Sequence, residues 1–461
     1  MPLDTPTRGQ GDPVLALIGN TPMVEATRLD TGLCRLFLKL ENQNPGGSIK
    51  DRIGLSMIEQ AERDGSLKPG GTIVEATAGN TGLGLALVAV RKGYKLVLVI
   101  PDKMSREKVF HLKAMGADVV MTRSDVGKGH PDYYQDLAQK IASESGGFYV
   151  NQFGNPANPR AHETTTGPEI WEQMNHDVDA IVCGVGSAGT VTGLTRFFRG
   201  VSPKTAMVLA DPAGSILVDY VKTGKFAAAG SWLVEGIGED FIPSIADFTG
   251  VREAYSVSDA DSFAAARELL ATEGIFGGSS TGTLLCAALR YCRSRKSPER
   301  VVSLVPDSGN KYLSKMYNEY WLADQGFAER ARHADLRDFI GRPMEERATV
   351  SVGPEDTLLT AYGRFKLNDV SQLPVLEGER IVGLIDEFDV LRAVANGMSH
   401  FRDLVRKHMT ADLEKVPPRG SLDDVLAILD RDHVAIVAEG ERFHGLITRI
   451  DVLNSLRRRQ Q

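Results

Sequence analysis

From about Thr21 to Asp307 the chain repeats one pattern: a short apolar run, a loop, then a longer stretch with helical spacing. The apolar runs fall at residues 35–40, 72–75, 95–100, 119–121, 180–183, 206–210 and 301–304. They do not alternate strictly between apolar and polar side chains. That suits strands buried on both faces of a parallel sheet rather than strands with one wet face. Residues 49–64 and 82–92 are the clearest helical stretches between them. The alternation predicts an α/β region built from several βαβ units.

After Trp321 the pattern changes. Residues 324–338 are charged and predict a connecting helix or linker. Beyond them the chain repeats itself. Residues 377–391 read EGERIVGLIDEFDVL and residues 439–453 read EGERFHGLITRIDVL, identical at ten of fifteen positions without a gap. Each copy predicts a turn (Pro354-Glu355-Asp356 or Pro418-Arg419-Gly420), a helix, a strand, a tight turn, a strand and a helix. One such unit is too small to bury much core, so the two are expected to pack on each other. The expected division is an α/β domain over 1–323, a linker over 324–338 and a repeat pair over 339–461, with copies at 339–398 and 404–458. A chain of 461 residues has room for two to four domains at ~100–200 residues each.

Composition narrows the class. Hydrophobic residues make up 42% and charged residues 25%, the balance of an ordinary soluble protein. No apolar run approaches the ~20 residues needed to span a bilayer, so no membrane partner is expected. Residues 1–12 show neither a basic start nor an apolar core, so no signal peptide is expected. Four scattered cysteines (Cys34, Cys183, Cys286, Cys292) form no CxxC pair and read as reduced thiols of a cytoplasmic protein. A net charge of −7 argues against a nucleic-acid partner. No metal site is expected.

Candidate chemistry sits in the loops. The run at 35–40 leads through Glu41-Asn42-Gln43-Asn44-Pro45-Gly46-Gly47-Ser48 into a helix, with Lys50 in its first turn. A lysine is unusual there, because the positive end of the helix dipole disfavours a second cation. The same placement lowers the amine's pKa and makes it a better nucleophile toward an aldehyde. Residues 76–82 (ATAGNTG) open a second helix, whose free N–H groups can hold a carboxylate beside the Asn80 amide. Residues 184–190 (GVGSAGT) satisfy G-x-G-x-x-G, with Asp211 about 20 residues on, as a dinucleotide site requires. With Ser187 and Thr190, that loop suits a single phosphate equally well. Residues 277–282 (GGSSTG) precede another helix. Taken singly, these features also read as a surface lysine and ordinary βα turns.

Together they carry a resemblance. NPGGSIKDR (44–52), TAGNTG (77–82), GSAGT (186–190), EGIGEDFIP (235–243) and GGSSTG (277–282) resemble the cysteine synthase/cystathionine β-synthase family of fold-type II pyridoxal-phosphate enzymes. The resemblance runs from about Leu17 to Trp321, in order and with matching spacing. The C-terminal repeats resemble a pair of CBS motifs, a regulatory module. The implied fold is a catalytic domain with two open, mostly parallel sheets, followed by a tandem CBS-motif α+β module. The implied cofactor is pyridoxal 5′-phosphate, with Lys50 as its covalent partner and as the base at Cα. Asn80 is then expected at the ring 3′-oxygen. Gly186, Ser187, Ala188, Gly189 and Thr190 are expected at the phosphate, and Ser279 at the ring nitrogen. A hydroxyl at that nitrogen keeps it largely unprotonated and favours prompt elimination. Thr77, Ala78, Gly79, Asn80, Thr81 and Gln152 are expected around a substrate carboxylate. Glu239 joins the substrate set, with an open role, because several relatives have Tyr there. Ala78 stands where relatives often have Ser.

The implied reaction is β-replacement: serine and homocysteine condense to cystathionine through an aminoacrylate, with hydrogen sulfide released when cysteine meets homocysteine. The repeat pair and EGIGEDFIP favour this over cysteine synthesis from O-acetylserine and sulfide. A nicotinamide-dependent dehydrogenase built on residues 184–189 and Asp211 leaves Lys50 and Ser279 unexplained. About a dozen residues precede the catalytic domain, so no haem is expected. In the second repeat, residues 445–451 have the full G-h-h-[ST]-x-x-D form that holds ribose and phosphate in CBS pairs, with Thr448 and Asp451 as its polar members. The first repeat has Asp386 in place of the hydroxyl, then Asp389. The extra carboxylate repels a phosphate. That leaves an uncharged or cationic adenosyl ligand such as S-adenosylmethionine, or no ligand and a dimerisation role. The family implies a homodimer or homotetramer.

Overall fold

Each apolar run of the first 317 residues pairs its backbone into one of two sheets. The computed structural model describes residues 12–458, apart from Ala78, Lys103, Ser105, Lys128, residues 329–332 and Asn396. In chain order the strands are β1 (Met23–Glu25), β2 (Arg35–Lys39), β3 (Thr72–Ala76), β4 (Lys95–Pro101), β5 (Asp118–Thr122), β6 (Phe148–Tyr149), β7 (Ala180–Gly184), β8 (Ala206–Pro212), β9 (Val251–Val257) and β10 (Arg300–Leu304). The smaller sheet has the order β5-β4-β3-β6 and is wholly parallel. The larger has the order β1-β2-β10-β7-β8-β9, and only β1 runs antiparallel to its neighbour.

The missing apolar–polar alternation has a direct cause. Ile73, Leu98 and Ile100 enter a core with Ile53, Met57 and Leu83 from helices Lys50–Arg63 and Asn80–Lys92. Their strand neighbours Val74, Ala76 and Val99 enter a second core with Ala138 and Ala142 of helix Tyr134–Ser145. Both faces are therefore dry, and each buried Val, Leu or Ile contributes ~1.5–3 kcal/mol. Parallel strands also place their outgoing loops along one edge of each sheet. The functional loops gather there.

The chain divides after Tyr317 into two units, ahead of the expected boundary. In the second unit, helix Glu319–Asp324 comes first. Residues Leu336–Phe339, from the expected linker, form a 3-10 turn whose Leu336 and Phe339 pack with Val416 and Val425 in that unit's core. Each repeat follows its plan. Helix Leu358–Asn368 precedes β11 (Gln372–Glu377), β12 (Arg380–Asp386) and helix Glu387–Val394. The second copy begins with β13 (Lys415–Val416). Helix Leu422–Leu429, β14 (Ala435–Glu439), β15 (Arg442–Ile447) and helix Arg449–Arg458 follow. Leu376 and Ile381 share a core with Ile436, Ala438 and Phe443, so the copies do pack on each other. No helix among the described residues is long and apolar enough to cross a membrane.

Candidate functional site

The loops after β2, β3 and β7 converge on one cavity of about 330 Å³, a size typical of small-molecule sites (~300–1,000 Å³). Lys50, Thr77, Gly79, Asn80, Thr81, Gln152, Gly186, Ser187, Ala188, Gly189, Thr190 and Glu239 all line it. Ala78 lies outside the described residues. The GGSSTG loop reaches the wall through Ser280. Ser279 is buried behind it, where its hydroxyl accepts the Glu235 N–H at 3.0 Å.

Lys50 is the first residue of its helix, and the N-cap Ile49 supplies no side-chain acceptor. Burial is the main cause that lowers the pKa of its amine, and Lys108 lowers it further; Asp307 and Glu41 oppose the shift. Desolvation thus acts in the same direction as the expected helix dipole. The next residue turns away: Asp51 Oδ2 accepts the Gly46 N–H at 2.5 Å, which closes the preceding loop.

A phosphate fits the third loop. Helix Gly189–Val201 starts after Ala188, which is held at φ +68°, and no side chain caps its first N–H groups. Those groups are free to bind an anion, and the Ser187 and Thr190 hydroxyls stand beside them. Asn158 Nδ2 donates to Ser187 Oγ at 2.9 Å and to the Gln152 carbonyl at 2.8 Å. A Cβ on Gly189 would overlap the Asn158 amide oxygen, so glycine is required there. His162 sits in a π-helical turn, His162–Thr166. Its ring lies between Thr166 Oγ1 (2.9 Å from Nδ1) and Thr190 Oγ1 (3.3 Å from Nε2). Burial lowers the ring's pKa well below its usual range and keeps it neutral.

The second loop, expected around a substrate carboxylate, is tightly built. Gly79 takes φ +121°, and a Cβ there would lie 2.6 Å from Lys108 Cδ. Thr77 Oγ1 accepts the Gly79 N–H at 3.1 Å, and Thr81 Oγ1 donates to Gln152 Oε1 at 2.7 Å. Below it Glu75 is fully buried, and its Oε1 has no partner among the described residues. Burial raises its pKa from 4.5 to about 8. Between those values the folded chain holds a proton that the unfolded chain releases, so stability falls as pH rises through the window. Glu75→Gln should remove that fall. Thermal melts should show the variant above wild type at pH 8 and level with it near pH 4.

The dinucleotide reading fails on Asp211. It is fully buried, and its Oδ2 accepts the Val218 N–H at 3.3 Å instead of facing the cavity. The four repeat residues singled out by sequence cap helices. Asp386 and Asp389 form a reciprocal capping box at the start of helix Glu387–Val394, and Asp451 Oδ2 accepts the Thr448 N–H and O–H at 2.8 and 2.6 Å.

Sequence reasoning gave no role to a charged cluster that reaches the cavity wall through Lys108, Glu235 and Lys315. Lys108 and Lys315 both pair with Glu235, at 2.6 and 2.7 Å, and Tyr312 donates to Asp307 Oδ2 at 2.7 Å. Glu235 lies inside EGIGEDFIP; Lys108, Asp307, Tyr312 and Lys315 stand in stretches with no local pattern.

An amine of lowered pKa, an uncapped helix start with two hydroxyls, and a nearby amide match the aldehyde, phosphate and ring oxygen of pyridoxal phosphate. Comparison with known proteins agrees. The family model for pyridoxal-phosphate dependent enzymes matches residues 14–307, and the CBS domain model matches 338–396 and 402–458. Cystathionine beta-synthase of Dictyostelium discoideum is 35% identical over 98% of this chain and 93% of its own length. Cysteine synthase A of Salmonella typhi is 40% identical, over 64% of this chain and 92% of its own. The crystal structure of a hydrogen sulfide-producing enzyme from Fusobacterium nucleatum superposes with a TM-score of 0.62 at 36% identity, covering 66% of this chain and 100% of that one. The chain therefore belongs to the cysteine synthase/cystathionine β-synthase family of fold-type II pyridoxal-phosphate dependent enzymes, with a C-terminal pair of CBS domains.

Proposed function

We propose that this enzyme condenses serine with homocysteine to give cystathionine, and releases hydrogen sulfide when cysteine takes the place of serine. The observation that carries the reading is the far wall of the cavity. Beyond the loops that suit the cofactor and one carboxylate, it is lined by Arg123, Tyr133, Tyr134, Glu239 and Asp240. Burial, then Asp240 and Glu239, push the Tyr133 hydroxyl up to about 12, so both carboxylates act on this wall. A wall with both signs of charge suits a second amino acid; sulfide needs none of it. The full-length similarity to a cystathionine beta-synthase adds support.

Pyridoxal phosphate, when bound, supplies a sink for the electron pair left at Cα. The chain's own groups do the rest. Lys50 Nζ, whose pKa burial lowers, takes the Cα proton and returns it at the end. Thr77, Gly79, Thr81 and Gln152 hold the substrate carboxylate at a helix start. Residues 186–190 hold the phosphate, and Ser279 is assigned to the ring nitrogen. Mass spectrometry of products tests the proposal, with serine plus homocysteine run beside O-acetylserine plus sulfide. Cystathionine should form faster than cysteine. A faster second reaction, consistent with the similarity to cysteine synthase A, would replace the proposal with cysteine synthesis.

A further inference from the structure

Asn80 lines the cavity, and its amide is held from two sides by groups that cannot exchange roles. Lys311 Nζ donates to Asn80 Oδ1 at 2.9 Å. An ammonium accepts nothing, so the amide end it meets must be the oxygen. On the other side Asn80 Nδ2 donates to Asp307 Oδ2 at 2.7 Å. The amide nitrogen carries a second N–H, and that is what Asn80 can offer to the cavity. Lys311 is 6% exposed, and it also donates to the carbonyls of Gly46 (3.2 Å) and Gly47 (3.0 Å), in the loop that leads to Lys50. All three of its N–H groups are therefore used, and its position is fixed. A cation that donates to an amide oxygen also strengthens the N–H donors of the same amide.

We propose that Lys311 is a positioning residue for the cofactor: it pins and polarises the Asn80 amide so that an N–H donor, never a carbonyl, meets the ring oxygen. The proposal rests on pyridoxal phosphate as cofactor and on Asn80 at that oxygen, and is independent of which thiol the enzyme uses. A strong donor there favours the anionic form of the oxygen over the protonated one.

Lys311→Met keeps an unbranched side chain out to Cε and removes the donor. Titration of cofactor-free protein with pyridoxal phosphate should show roughly tenfold weaker binding, the size expected for losing a charge-assisted hydrogen bond. Absorbance of the bound cofactor should shift from its longer- to its shorter-wavelength band. In an Asn80→Ala background the same substitution should change affinity by less than about twofold, because its effect runs through that amide. Lys311→Ala serves the same cycle should the Met variant not fold. Equal losses in both backgrounds, or an unchanged balance of bands in the single variant, would reduce Lys311 to a tie between loops and overturn the proposal.

Discussion

Lys50→Ala should lose the covalently held cofactor and, with it, at least about 10³-fold in kcat, the upper part of what a positioned proton-transfer group contributes. Among the described residues, no other lysine lining the cavity is placed to take over. Lys108 and Lys315 are both committed to Glu235. The phosphate loop does not depend on Lys50, so the variant should still bind pyridoxal phosphate weakly and lose it on dialysis. Absorbance of the purified protein and steady-state rates check both points. Wild-type turnover in the variant would remove Lys50 from the mechanism.

Arg52→Ala should destabilise the protein by ~3–5 kcal/mol, the usual cost of removing one partner from a buried ion pair. Arg52 is 3% exposed. Its guanidinium donates to both Glu41 oxygens at 2.7 and 2.8 Å and to both Glu169 oxygens at 2.6 and 2.7 Å. Lys39 also donates to Glu169, at 2.7 Å. Burial alone would raise Glu169, but Arg52 and Lys39 hold it at about 2. In the wild type this contribution is complete above pH 4.5, the ordinary value, and is lost as pH falls toward about 2. The variant should show a lower melting temperature at pH 7 and a weaker acid dependence. Glu41 also accepts from Asn44, at 2.9 Å, in the loop that ends at Lys50, so cofactor binding should weaken as well.

The double-sided strands were legible because each carries an unbroken apolar run. Among the described residues of the first unit, three strands were not. β1 and β6 have three and two residues, too few for any pattern. β9 is an edge strand whose sequence VREAYSV mixes exposed and buried positions. The loops at Lys50, Asn80 and Thr190 were legible because glycines and hydroxyls cluster before a helix. The helix after β3 starts at Asn80 rather than at residue 82, so Asn80 and Thr81 belong to its first turn. Lys311, Asp307, Lys108 and Arg52 were not found as site residues. Lys311, Asp307 and Lys108 are single charges in ordinary stretches, and each has a partner far along the chain: Asn80 and Lys311 are 231 residues apart. Arg52 ends NPGGSIKDR, but its partner Glu169 is 117 residues away. A buried pair of this kind is visible only once the chain is folded.

The π turn at His162–Thr166 sets the phase of a whole helical run. At the ~100° per residue of a regular α-helix, Asn158, His162, Thr165 and Glu169 would fall on one stripe. They serve two places instead. Asn158 and His162 reach the phosphate loop, while Thr165 and Glu169 reach Arg52. The wider turn sets back every residue after it, and so separates the stripe into two faces. One extra residue lets a single rod brace the anion site and the ion network together. Deleting it would merge the faces and detach one of the two. What this segment must keep is its length, more than the identity of its exposed side chains.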